Sequence, residues 1–240
     1  MKKYLKFIVL IFCFCFLTSV TCFARAGGGG SSGGGSSGGG SYSHTHNTGS
    51  GRSNPLQLFL NSAAALIILG GGSTVFFYKV KKAQHKSMRL IREYEKIDFN
   101  WDYKEMQDYI EKAYFVIQEC WRRQDVDYAE EYLSESLKEA WRAKLAWMQM
   151  RDEEEVQENV RLLSARPVKA VNHEGTGNDE IWYLIHGKMK DYRINKTTGE
   201  FLEGNQKAAS FYEYWCFIYA DGRWVLDEIL QKEDVEVDLL

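Results

Sequence analysis

The charge of this chain is divided between its two ends, and the division limits where a folded domain can form. Residues 1–92 carry 11 basic residues, no acid and a net charge of +11. Residues 93–240 carry 19 basic residues and all 33 acids, a net charge of −14. All seven Trp also lie in these last 148 residues. This length suffices for one domain with a substantial core, and it excludes a two-domain enzyme.

The first 55 residues have the composition of targeting and linker segments. Residues 1–26 combine a basic start, an uncharged apolar stretch and a small-x-small end. This is the pattern of a secretory signal peptide, either cleaved or retained as a signal anchor. Residues 27–55 begin with 12 Gly and 7 Ser within 25 residues. Such a segment buries too little apolar surface to fold, so we expect a disordered Gly/Ser-rich linker.

An uncharged stretch of 23 residues, 56–78, is followed at once by a basic cluster without acids. At about 1.5 Å per residue the stretch spans the hydrocarbon core; the alternative is a buried helix of the folded domain. Dense basic charge marks the cytoplasmic side of a membrane and attracts anionic headgroups. We therefore expect a single-pass anchor in the cell (inner) membrane, a basic stem at 79–97 and a cytoplasmic C-terminal domain. The predicted lipid-contacting residues are Lys79, Lys81, Lys82, Lys86, Arg89 and Arg92.

Helical patterns come first in the domain. After Asp98, a fair N-cap, apolar residues recur every three or four positions, beginning at Phe99 and ending at Cys120. That spacing predicts a helix of about six turns with one buried face. Asp125 is expected to cap a short second helix, and Ser134 begins a third. The four acids at 152–155 are expected to form a solvated end or loop.

The apolar period then changes to two, which indicates strands. Strands are predicted over 160–171, around 181–190, over 211–219 and over 223–230. Asp221–Gly222 between the last two is a strong hairpin signal. Three helices followed by four antiparallel strands make an α+β domain, with a curved sheet wrapped around the helices. We place this domain at 98–232 and an acidic tail at 233–240.

Two segments resemble a known family. The first is AYFVIQECW at 113–121 with Asp125 and the later YLS at 132–134; the second is the hairpin EYWCF at 213–217 with GRWVLDEI at 222–229 and Gln231. They are similar to the C-terminal domain of the mitochondrial inner-membrane import-motor tether, which has bacterial relatives and a ribosomal relative. The chain is identified as a bacterial member. The resemblance implies a cone-shaped α+β fold like nuclear transport factor two, and membrane association.

The leading functional hypothesis is a non-enzymatic, membrane-anchored adaptor that associates with lipid or membrane-protein partners. An acidic body also suits a basic protein partner. The cone interior is a second candidate site, open to an acyl chain or a peptide; ordinary core packing is the alternative for its aromatic residues. The candidate cavity-lining residues are Phe211, Trp215, Phe217 and Trp224.

Two other function classes remain as alternatives. A cavity-type enzyme of the isomerase or dehydratase kind would use Glu213 or His186, with Asp191, Asp227 and Tyr183 as further candidates. No close His–acid pair, metal-ligand cluster, phosphate loop or nucleophile motif supports catalysis, so no catalytic residue, metal or cofactor is predicted. A ribosome or nucleic-acid factor is disfavoured because a net charge of −14 neutralises phosphates poorly. Cys120 and Cys216 are expected to be reduced core thiols.

Overall fold

The computed structural model describes residues 55–173 and 179–232, with side chains from residue 74 onward. The predicted signal peptide at 1–26, the acidic tail at 233–240 and all but the last residue of the predicted linker at 27–55 lie outside the described residues. So do the side chains of residues 56–73, which make up most of the predicted span.

Helix α1, Pro55–Tyr94, is 40 residues long. It crosses the boundary between two compact units, one ending at Lys82 and one beginning at Ala83. Among the residues whose side chains the structure describes, 74–173 and 179–232, no helix has both the length and the apolar content needed to cross a membrane. In the second unit, Ile91 is fully buried in the hydrophobic core cluster, so the core includes the last turns of α1.

Helix α2, Tyr103–Arg123, carries the predicted amphipathic stripe but begins later than predicted. The cap is Asp102, whose carboxylate accepts a hydrogen bond from the Glu105 backbone N–H at 2.9 Å. The side chain of Asp98 caps nothing; it precedes a short 3₁₀ turn, Phe99–Trp101. Phe99 is 84% exposed and so does not join the stripe. The predicted start of this helix was therefore wrong by about one turn, because the side chain of Asp102 makes the capping hydrogen bond that Asp98 lacks.

The second and third predicted helices are confirmed with their caps. Asp125 accepts from the Asp127 backbone N–H and begins the 3₁₀ segment Val126–Tyr132. Ser134 accepts from the Leu137 backbone N–H at 3.2 Å and begins helix α3, Glu135–Met150. These side-chain acceptors satisfy backbone donors that have no partner in the first helical turn.

Four strands form one antiparallel sheet in the order β1–β2–β3–β4. They are β1 Glu153–Val171, β2 Glu180–Asn195, β3 Phe201–Ala220 and β4 Arg223–Gln231. The α+β class and the strand number are confirmed. β1 and β3 begin well before their predicted starts. The prediction of a solvated loop at 152–155 is wrong, since Glu153 and Glu155 are buried positions of β1.

The β3–β4 hairpin has the predicted turn. Asp221 and Gly222 have φ values of 52° and 79°, so both lie in the left-handed region that a two-residue hairpin turn requires.

The close contact between α2 and the sheet also requires a glycine, at position 187 of β2. A Cβ at Gly187 would overlap the ring of Phe211 and lie 2.7 Å from the Tyr114 hydroxyl, so only glycine lets α2 approach the sheet there.

The core lies between the helices and one face of the sheet. Alternate residues of β2 and β3 face it, among them Ile181, Tyr183, Ile185, Trp215 and Phe217, which are all fully buried. They meet the apolar stripe of α2. Cys120 and Cys216 are free and buried, as predicted. Burial in apolar surroundings raises the pKa of the Cys120 thiol to about 12, which makes it unreactive.

Candidate functional site

The predicted lipid-contacting residues lie on helix α1. In the unit that begins at Ala83, Lys86, Arg89 and Arg92 are exposed and spaced three residues apart, so they form a continuous stripe. In the other unit, Lys81 and Lys82 are exposed and Lys79 is half-buried. Each group therefore presents basic charge to solvent, and neither group belongs to the sheet.

The predicted cavity-lining aromatics are all buried members of the hydrophobic core cluster: Phe211, Trp215, Phe217 and Trp224. Trp224 donates its indole N–H to the backbone carbonyl of Asn100 at 3.0 Å. It also lines a shallow recess of about 260 Å³ beside Phe99 and Tyr219. The structure thus places these side chains where the core-packing interpretation puts them.

The two residues named for a cavity-type enzyme lie on different faces of the sheet. Glu213 is fully buried; it accepts from the indole N–H of Trp215 and from the amide of Gln231, each at 3.0 Å. His186 pairs across strands with Tyr212, and their rings stack with centroids 4.2 Å apart. Burial and the nearby Arg166 lower the pKa of His186. The two groups therefore do not form an acid–base pair.

The other acid–base candidates are separated from each other as well. Asp227 accepts from the Ser136 hydroxyl at 2.9 Å near the start of α3. Tyr183 is fully buried, and burial raises its pKa well above the usual value. Among the described residues, no group of three or more His, Cys, Asp or Glu side chains is placed to hold a metal ion.

A buried polar cluster, which the sequence interpretation missed, lies at the paired ends of β1 and β2. Glu153, Glu155 and Gln157 alternate along β1 and are at most 5% exposed. In the register, Glu155 faces Arg193 and Gln157 faces Asp191. Arg193 lies 3.1 Å from Glu153 and 3.7 Å from Glu155. The four acids in a row concealed this alternation, because a run of charge predicts exposure.

Proton binding is the chemistry that this cluster can perform. Burial first, and then the neighbouring Asp191 carboxyl, raise the pKa of Glu155 well above its ordinary value; Arg193 and Lys144 oppose the shift. Burial also lowers the pKa of Lys144 on α3. A buried carboxyl beside a second carboxyl favours its protonated form, so the fold favours the neutral acid of Glu155.

The raised pKa gives the fold a defined pH dependence. The unfolded chain releases the Glu155 proton near its ordinary pKa, whereas the folded chain retains it, so the free energy of unfolding falls as pH rises between the two values. We expect Glu155→Gln to raise the free energy of unfolding at pH 8 by about 1–3 kcal/mol and to flatten this slope. Urea denaturation from pH 5 to pH 9 checks it.

The control for this substitution is Glu154→Gln, one residue earlier and only half-buried on the other face of β1. It should leave both the stability and the slope unchanged. A loss of stability at pH 8 in Glu155→Gln would show that the carboxylate, and not the acid, is the form that the fold prefers.

Comparison with known proteins follows this geometry. The family model described as Tim44-like domain matches residues 87–231. None of the curated proteins compared matches the chain. Among solved structures, the intermembrane space region of the chloroplast protein ARC6 is similar at 7% identity and a TM-score of 0.32, over 44% of this chain and 76% of that one. A similarity that weak carries no argument here.

Proposed function

This chain belongs to the Tim44-like domain family, and from that premise we propose that it is a membrane-associated adaptor without catalytic activity. Domains of this family generally serve as tethers that interact with membranes and proteins. Glu213 and His186 have separate partners on different faces of the sheet, which supports a binding role over acid–base chemistry by these two residues.

The observation that carries the proposal is the exposed basic stripe on α1. Lys86, Arg89 and Arg92 point to solvent at spacings of three residues. Each basic residue near an anionic bilayer contributes about 1 kcal/mol to binding. Residues 93–240 carry a net charge of −14, which an anionic bilayer repels. The lipid contact is therefore confined to the basic stripe of α1.

The proposal includes how the domain is held and which partners it meets. A single-pass anchor at 56–78, with the domain on the cytoplasmic side of a bacterial inner membrane, would hold the adaptor close to lipids and membrane proteins and raise its effective concentration for them. Protease protection of the C-terminus in intact cells checks that side. The net charge of −14 suits a basic protein partner.

A flotation experiment tests the lipid contact. We expect the unit 83–240 to float with vesicles of phosphatidylcholine and phosphatidylserine, and not with phosphatidylcholine alone. Replacing Lys86, Arg89 and Arg92 together by serine removes three charges at about 1 kcal/mol each, so binding should fall roughly a hundredfold.

The matched control replaces Lys104, Lys112 and Lys196 by serine, which removes the same charge from exposed positions elsewhere in the unit. It should float like the unaltered unit. If the two triple variants float equally well, the contact is not on α1 and the proposed site is wrong.

A further inference from the structure

Strand β1 lies at one edge of the sheet, and side chains of α2 cover its outer edge. Gln107 donates to the carbonyl of Ala165 at 3.2 Å, and Gln124 donates to the carbonyl of Glu153 at 3.2 Å. Between them, the Tyr114 hydroxyl donates to the carbonyl of Arg161 at 3.4 Å. The helix and its C-cap residue Gln124 thus satisfy backbone acceptors of β1, which among the described strands pairs only with β2.

This row of hydrogen bonds is interrupted where Gln118 of α2 meets Gln157 of β1. Both side chains are almost fully buried, at 2% and 5% exposure. All four polar atoms of the two carboxamides lack a hydrogen-bond partner. Buried amides without partners destabilise a fold, so four such atoms together need an explanation.

The chain next to this interruption is irregular. The pairing of β1 with β2 shifts between Glu158 and Arg161, so two residues of β1 face one residue of β2. Asn159, inside the shift, has a φ of 56° in the left-handed region. Such bulges bend an edge strand and redirect its side chains. The edge of the sheet is therefore bent beside Gln157.

A groove of about 350 Å³ lies over the two carboxamides. Its walls are apolar and include Phe115 and Tyr128, which are 49% and 43% exposed, and Val160 of β1. Its rim holds Glu119, which forms ion pairs at 2.6 Å with Arg122 and Arg123, so these three side chains together carry a single positive charge. The groove combines apolar walls with two carboxamides that lie just beneath its floor, where their polar atoms have almost no accessible surface.

We propose that this groove, between α2 and the edge of β1, binds an extended peptide segment of a partner protein. A primary carboxamide offers two N–H donors and one C=O acceptor. In an extended peptide one residue presents its N–H and its C=O to the same side, and every second residue faces the same way. Two alternate residues of the peptide therefore satisfy Gln118 and Gln157 together. The terminal torsion of Gln is broad, which lets the amides turn toward the ligand. An apolar side chain of the peptide lies against Phe115 and Tyr128.

The chemistry of the floor separates this ligand from a lipid. An acyl chain satisfies none of the four polar atoms, and the phosphodiester of a lipid headgroup accepts hydrogen bonds but has no donor for the carboxamide oxygens. The inference rests on the proposed adaptor function, for which it names the class of protein partner.

The test uses the full chain in detergent micelles and an array of fluorescein-labelled heptapeptides that alternate serine with leucine, isoleucine, valine or phenylalanine. We expect binding by fluorescence anisotropy to at least one peptide. Backbone N-methylation of that peptide removes its donors and should weaken binding at least tenfold. Gln118→Leu with Gln157→Leu should weaken it by a similar factor, about 1.4 kcal/mol.

The double variant should also melt at the same or a higher temperature, because leucine removes amides that have no partner in the fold. Gln149→Leu, an exposed position on α3, is the matched control and should change neither binding nor melting. The double variant should float with anionic vesicles like the unaltered protein, which separates this site from the lipid contact on α1.

Four results would each overturn the proposal. They are no binding to any peptide of the array, equal binding of the N-methylated peptide, unchanged binding by the double variant, and a lower melting temperature of that variant. The last would show that the two amides stabilise the fold itself. Failure of the α1 charge variant to lose flotation would count only against the lipid contact.

Discussion

Replacing Trp215 by alanine is expected to lower the free energy of unfolding by about 3–5 kcal/mol, enough to unfold a marginally stable domain. Trp215 is fully buried in the centre of β3. Its ring lies 5.6 Å from Tyr114 of α2 and 6.3 Å from Phe217, measured between ring centroids. The substitution therefore leaves a cavity between α2 and the sheet. Urea denaturation at pH 7 measures the loss in the free energy of unfolding.

A second substitution separates the ring from its polar atom. Trp215→Phe keeps most of the packing but removes the N–H that donates to Glu213 at 3.0 Å. Because that acceptor is a buried carboxyl, we expect a loss of about 1–3 kcal/mol. Trp147→Ala is the control, since Trp147 is 65% exposed and should cost little. A loss in Trp215→Ala no larger than in Trp147→Ala would contradict the assignment of Trp215 to the core.

Replacing Trp101 by alanine should have an effect of similar size, about 3–5 kcal/mol, because this one side chain joins three parts of the domain. It is fully buried in the turn that follows α1. Its ring lies 4.9 Å from Tyr94 of α1 and 5.1 Å from Trp224 of β4. Its indole N–H donates to Asp179, next to the start of β2, at 3.0 Å.

Because Trp101 contacts α1, β4 and the start of β2, its substitution should change local opening of the fold as well as the overall free energy of unfolding. Asp179 also accepts from the Asn100 side chain at 2.7 Å and from the backbone N–H of His173 at 2.9 Å. Trp101→Phe should therefore lose only about 1–3 kcal/mol, since Asp179 keeps its other donors. Hydrogen exchange should then show faster opening of the last turns of α1 in Trp101→Ala. Unchanged exchange there would mean that Trp101 does not hold α1 to the sheet.

The sequence predicted those elements whose pattern is set locally. Ser134 and Asp125 were recognisable as caps because a short side-chain acceptor next to an apolar period satisfies the first turn of a helix. Asp221–Gly222 was recognisable because a two-residue hairpin turn needs two left-handed residues. The change of the apolar period to two correctly predicted strands β2 and β3, in which Tyr183 and Trp215 are fully buried.

The predicted element boundaries were wrong where the local sequence was compatible with two different structures. Asp98 and Asp102 are both acceptable caps, and only the packing of Trp101 between them decides that the helix begins after Asp102. The acids at 152–155 looked solvated because charge normally is. Glu153 is buried because Arg193, forty positions later, lies 3.1 Å away, and no local pattern contains that pairing.

The two candidate sites differ in the same way: one is formed by residues close in sequence and the other by residues far apart in sequence. The basic stripe of α1 was found from the sequence, since its residues are neighbours on one helix. The groove was not found, because Gln118 and Gln157 are unremarkable glutamines of a helix and a strand. They acquire a role only when α2 packs across the edge of β1 and leaves both amides without partners.

The sequence by itself determined the α+β class, the helix-then-strand order, the hairpin and the confinement of acidic charge to residues 93–240. Each follows from interactions between residues a few positions apart or from composition, both of which can be read along the chain. Tertiary structure alone decided that Glu155 retains a proton, that Glu213 and His186 lie on opposite faces, and that a groove opens above Gln118. These outcomes depend on burial and on pairs of residues distant in sequence, and burial is a property of the packed fold rather than of any segment.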